Sequence, residues 1–128
     1  MPDMRPARAI AFFVALSCAG LAGRVSAGEA DVIDVKVRRS APGVYDFDVT
    51  VRSVDKGWEY FADAFEVLAP DGRLLGRRVL LHPHESEQPF TRDLYGVRIA
   101  PGVERVTVRA RHRPKGYGGR TFSVELPQ

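Results

Sequence analysis

The chain has 128 residues, of which 45% are hydrophobic and 27% charged. That is one domain's worth of sequence, and the balance excludes a disordered acidic or basic tail. The formal net charge of +3 comes from 19 Lys and Arg against 16 Asp and Glu. Residues 1–27 hold Arg5, Arg8 and Arg24 against Asp3, so residues 28–128 carry 16 basic and 15 acidic side chains, a net of +1. A charge this near zero argues against a dedicated nucleic-acid binder.

Residues 1–27 read as a secretory signal peptide. Arg5 and Arg8 supply the positive n-region, residues 9–16 (AIAFFVAL) the apolar h-region, and Val25-Ser26-Ala27 the cleavage site. The apolar run is too short for a membrane span, which needs about 20 residues. Cys18 is the only cysteine, and a lipid anchor there is disfavoured. The leucine expected three residues before the cysteine is replaced by Ala15, with Leu16 one place late. Cleavage after Ala27 leaves a single domain of residues 28–128 without a disulfide, in the periplasm or outside the cell. About 100 residues bury roughly two-thirds of their unfolded surface, which suffices without staples. Arginine outnumbers lysine 16 to 3 and asparagine is absent, as in a GC-rich bacterial genome.

Along the rest of the chain, apolar and polar residues alternate with period two between Gly, Pro and Asp turns, and no stretch has helical spacing. Strands are expected over 31–39, 44–54, 58–69, 74–81, 90–99, 103–113 and 120–126. The second is clearest: Tyr45, Phe47, Val49 and Val51 alternate with Asp46, Asp48, Thr50 and Arg52. In the first, Ile33, Val35 and Val37 are expected inward. In the third, Asp63 falls in phase with Phe61, Phe65 and Val67, opposite Trp58, Tyr60, Ala62, Ala64 and Glu66. In the fifth, the apolar parity shifts between Leu94 and Val97, which marks Gly96 as a bulge. Seven strands and no helix point to an all-β protein, a seven-stranded antiparallel β-sandwich with an immunoglobulin-like or fibronectin-III-like Greek key. The Cys…Trp…Cys marker of antibody domains is missing.

Gly57-Trp58-Glu59-Tyr60-Phe61-Ala62-Asp63, Pro70-Asp71-Gly72, Leu81-His82-Pro83-His84 and Glu87-Gln88-Pro89-Phe90-Thr91-Arg92 resemble a group of small secreted bacterial proteins without an established activity. The resemblance covers most of residues 28–128. It implies an exported compartment and a β-rich fold, and assigns no reaction.

Three groupings of residues could carry chemistry. His82 and His84, two apart on an extended chain, place both imidazoles on one side, as copper or zinc ligands require. Glu85, Glu87 or His112 would have to complete the set, because zinc takes three or four protein ligands. Asp63 on an apolar face needs a partner, with Arg92, His84, Arg77 or Arg78 as candidates. A buried clasp pinning the 82–92 loop is expected. Arg105, Arg109, Arg111 and Arg113 form a basic row on the sixth strand, expected to be balanced by neighbours such as Glu66 and Glu125. No nucleophile elbow, S-x-x-K or H-E-x-x-H motif occurs, so the chain reads as a non-enzyme with no required cofactor.

The reading is therefore an exported, non-catalytic binding module. Its surface is one loop end with Trp58, Tyr60, Asp63, His82, His84 and Arg92, and its partner an envelope protein or a small ligand. Two alternatives are a periplasmic copper- or zinc-binding protein using His82 and His84, and a purely structural accessory domain.

Overall fold

Alternating side chains make each strand two-faced, and a two-faced sheet must bury its apolar side against another layer. In the computed structural model, which describes residues 28–128, that is what the chain does. Residues 1–27, read from the sequence as a leader, and with them Cys18, lie outside the described residues. Among the described residues there are seven strands and no helix: β1 (Ala30–Ala41), β2 (Val44–Ser53), β3 (Phe61–Leu68), β4 (Leu74–Val79), β5 (Phe90–Arg98), β6 (Arg105–Arg113) and β7 (Phe122–Glu125). They form two antiparallel sheets with orders β1-β2-β5 and β4-β3-β6-β7. Accordingly, no helix there is long and apolar enough to cross a membrane.

The core lies between the sheets. Val32, Phe47, Val49, Val51 and Phe90 from the first sheet meet Phe65, Val67, Val106 and Val108 from the second, all buried. On β2 the alternation is as expected. On β1 and β3 it slips by one residue, and a β-bulge causes each slip. The β1–β2 register jumps between Val32 and Asp34, so Ile33 is the extra residue and Val32 takes the core position. The β3–β6 register jumps between Ala62 and Ala64, so Asp63 is the extra residue there. Ala62, Phe65 and Val67 face the core, and Phe61 leaves the phase assigned to it. A third bulge falls where the parity shift placed it. Tyr95 and Gly96 together oppose Asp46, Gly96 has φ +75°, and its N–H donates to Asp46 Oδ1 at 2.8 Å.

Strand limits also differ. Trp58 and Tyr60 do not belong to β3. They sit in a tight turn closed by Tyr60 N–H to Gly57 O (3.1 Å) and Lys56 N–H to Tyr60 O (2.7 Å), with Gly57 at φ +99°. Gly57 supplies the positive φ such a turn needs.

Between the sheets, Arg78 of β4 reaches Asp93 of β5, donating to its Oδ1 at 2.6 Å and its carbonyl at 2.7 Å. At the opposite side of the sandwich, buried Asp31 accepts from the N–H groups of Gly28 (2.8 Å) and Arg120 (2.7 Å), while Val32 N–H donates to Arg120 O. This seam brings Gly119 so near β1 that a Cβ there would collide with the Ala30 carbonyl. The obstacle is backbone, which cannot step aside. Gly119→Ala is therefore expected to destabilise the fold by about 2–3 kcal/mol, the upper range for overpacking. A urea-unfolding midpoint equal to wild type would contradict that close approach.

Candidate functional site

Successive antiparallel strands bring the β2–β3, β4–β5 and β6–β7 connections to one end of the sandwich. At that end the side chain of Asp55 is fully buried. Its Oδ1 accepts from Ser53 Oγ (2.7 Å) and Ala62 N–H (3.1 Å), and its Oδ2 accepts the backbone N–H of His84 at 2.8 Å. Gln88 completes the clasp. Its Oε1 accepts from Ser53 N–H (2.8 Å), and its Nε2 donates to Ser53 Oγ (3.2 Å) and His84 O (2.9 Å). Within the 80–89 loop, which lacks regular structure, both backbone groups of buried His84 are thus paired by these two side chains, as buried polar groups require.

His82 and His84 are brought together, with ring centroids 4.6 Å apart, but in different surroundings. His82 is exposed; its Nδ1 lies 3.1 Å from Pro83 O. His84 is only 5% exposed, which corrects the expectation that both histidines stand on the surface of this loop end. Its ring stacks on Phe90 with centroids 3.9 Å apart and 10° between planes. Arg92 places its guanidinium nitrogen 3.0 Å from His84 Nε2. A guanidinium can only donate, so Nε2 accepts and the ring proton sits on Nδ1. That Nδ1 is buried without a hydrogen-bond partner, 4.0 Å from Asp55 Oδ2. Burial, then the positive charges of Arg92 and His82, hold the His84 imidazole below its usual range against the pull of Asp55 and Glu87.

Among the described residues no three His, Cys, Asp or Glu side chains converge as ligands. His112 does not approach the pair. It is buried under Tyr60, with ring centroids 4.4 Å apart; its Nε2 lies 2.9 Å from Val54 O and its Nδ1 accepts from Lys115 N–H at 3.4 Å.

Asp63 is not the clasp. None of the four partners suggested by the sequence reaches it. Arg92 is engaged by His84 and by Glu87 at 3.6 Å, and Asp63 Oδ2 instead lies 3.6 Å from half-exposed Arg111. The bulge takes Asp63 out of phase with Phe65 and Val67, yet its side chain stays largely buried and its Oδ1 has no hydrogen-bond partner. Asp55 holds the role expected of Asp63, and its place in an Asp-Lys-Gly turn disguised it as an ordinary solvent-facing turn residue.

Two apolar side chains stand out from this end. Trp58 is 61% exposed, its ring edge-on to Phe61 at 5.9 Å, and Leu81 is 75% exposed. Tyr60 is half-buried and donates to Glu29 at 2.6 Å, a bond that raises its phenol above the usual range. Tyr117 folds back over the four-stranded sheet. Its hydroxyl donates to Glu66 Oε2 (3.1 Å), and Arg109 lies 3.8 Å above its ring. The basic row on β6 is largely neutralised. Arg109 pairs with buried Glu66 at 2.9 Å and Arg105 with Glu125 at 2.7 Å. A separate cleft of about 500 Å³ lies at the other end, lined by Tyr45, Ile99, Val103, Glu104 and Leu126 among others. Turn backbone shapes it, which no residue pattern announces.

Removing the Asp55 carboxylate strands two backbone N–H groups and a hydroxyl, so Asp55→Ala is expected to cost about 3–5 kcal/mol. Asp63→Ala removes one long contact to a half-exposed arginine and, with it, a buried carboxylate oxygen that has no partner, so its cost should stay within about 1 kcal/mol. Urea melts of both variants check the assignment; the reverse ranking would contradict it.

Compared with known proteins, the chain is 37% identical over 97 residues to a protein of Halomicrobium mukohataei named "Putative lipoprotein". The match covers 76% of this chain and 47% of the relative, so the chain spans about half the length of that curated relative. No family model matches the chain, and no solved structure matches it.

Proposed function

We propose that the protein is an exported, non-catalytic binding module of the cell envelope that engages a protein partner through the end bearing Trp58 and Leu81. The observation that carries this reading is Trp58: a large aromatic, mostly exposed, on a turn whose neighbours are pinned by the buried Asp55 clasp. Aromatic anchors supply much of the binding energy at protein interfaces, and a pre-ordered loop loses less entropy on association. Leu81 extends the apolar surface from the neighbouring connection.

The strand arrangement supports an immunoglobulin-like, more closely fibronectin-III-like, domain. β3 pairs with β6, β2 pairs with β5, and β4 joins β3 rather than β5. Domains of that class recognise partners with loops at one end, which agrees with the location of Trp58. The relative's name supports an envelope address. Within that address, cleavage after Ala27 is the reading for this chain. Intact mass of the exported protein should correspond to a chain starting at Gly28, and a lipid-modified Cys18 would overturn that start.

The surface is tested by capture. Immobilised wild-type protein, challenged with envelope extract, should retain a partner. Trp58→Ala should reduce the retained amount about tenfold or more, the effect of losing a hot-spot aromatic. Tyr95→Ala, which removes an exposed aromatic from β5, should leave it unchanged. Equal retention by Trp58→Ala contradicts the assigned surface.

A further inference from the structure

We propose that His84 and Arg92 form an acid-released latch, so that the loop end has one arrangement near neutral pH and a looser one in acid. The proposal rests on reading that end as the binding surface, and it assigns the surface a regulation.

The geometry offers His84 two sets of partners. In the arrangement described, Nε2 accepts from Arg92 at 3.0 Å. That bond exists only while Nε2 is unprotonated, because a guanidinium never becomes an acceptor. A proton on Nε2 would place two donors, both positively charged, against each other in a site with little water. Both have somewhere else to go. Arg92 already lies 3.6 Å from Glu87, and the His84 Nδ1–H lies 4.0 Å from Asp55 Oδ2 without a present partner. Protonation therefore exchanges the Arg92–His84 bond for Arg92–Glu87 and His84–Asp55 pairs.

The exchange reaches the loop through Asp55. Its Oδ2 holds the His84 backbone N–H at 2.8 Å, and its Oδ1 holds Ala62 N–H at 3.1 Å. Drawing the carboxylate toward the ring weakens the bonds that fix the 80–89 loop against β3. The charged and titratable groups facing His84 are Asp55 from the β2–β3 connection, His82 and Glu87 from its own loop, and Arg92 from β5. Phe90 covers the ring face and contributes no charge.

The direction in pH follows from the same contacts. The folded protein resists the proton on His84 more than the unfolded chain does. Below about pH 6.5, the free imidazole value, the unfolded chain binds more protons. The latch's contribution to stability is thus complete above that pH and declines as pH falls through the lower folded midpoint.

Imidazole nitrogen shifts of the full exported protein, measured by NMR against pH, test this with no partner present. At pH 7.5 His84 should be the Nδ1–H tautomer, and its titration midpoint should lie below 6.5. Arg92→Gln, which keeps a donor and removes the charge, should raise that midpoint. Between pH 7.5 and pH 5, hydrogen-exchange protection of the His84 amide, corrected for intrinsic exchange, should fall about tenfold or more. Protection at Val49 in β2 should hold, which separates local release from global unfolding. His84→Gln should abolish the fall. An Nε2–H tautomer at neutral pH, a midpoint that Arg92→Gln leaves unmoved, or equal loop protection at both pH values would each overturn the latch. None of these outcomes bears on capture through Trp58, so the latch and the binding surface fail separately.

Discussion

The loop end depends on one carboxylate. Asp55 has no exposed side-chain surface and holds groups from the end of β2, the start of β3 and the β4–β5 connection. Burying a carboxylate is costly, and the cost is offset only when its oxygens are fully engaged by donors. Here the donors are backbone N–H groups that would otherwise be stranded in irregular segments. The same bonds satisfy the carboxylate and the loops, so neither the turn at Trp58 nor the segment around His84 is free to take another course while the clasp stands.

The sandwich supplies the frame for that clasp. Two sheets close over an aliphatic and phenylalanine core, Arg78 and Asp93 tie β4 to β5, and Asp31 ties the start of β1 to the segment before β7. The outer face of the four-stranded sheet is not an open basic patch. Glu66 lies buried there beneath Arg109, Arg77 and Tyr117, and Arg105 and Arg111 face Glu125 and Asp63, so three of the four arginines of the row have a carboxylate partner. Among the large apolar side chains of the described residues, Leu81 and Trp58 are the two most exposed, and both lie at the loop end, which gives the binding reading its location.

The fold was legible where side-chain parity alone determines it. Residues 45–52 alternate without interruption, and they lie in β2 with Phe47, Val49 and Val51 inward. Gly96 was legible because a glycine inside a strand, at the point where the parity shifts, is the usual mark of a bulge. Ile33 and Asp63 were not: Val32 and Ile33 are both apolar, and Asp63 stands between Ala62 and Ala64, so the residue types do not say which position the bulge leaves out of the ladder. The site was legible in part. The sequence drew attention to two segments that the fold brings to one end, Trp58 to Asp63 and His82 to Arg92, and to Glu66 and Glu125 as partners of the arginine row. The sequence could not show that Asp55 rather than Asp63 is the clasp. A buried turn aspartate and an exposed one read alike until the chain segments it binds, 7 and 29 residues away, are placed beside it. His84 escaped for a related reason: Phe90 and Arg92 cover it only after the loop has closed.

The central claim is that Trp58 is presented by a rigid end and not by a mobile one. Backbone ¹⁵N relaxation measures this directly. The account predicts order parameters near 0.85 for residues 55–62 and 82–90, equal to those of the strands. Values below about 0.6 in either segment, with the strands rigid, would contradict it.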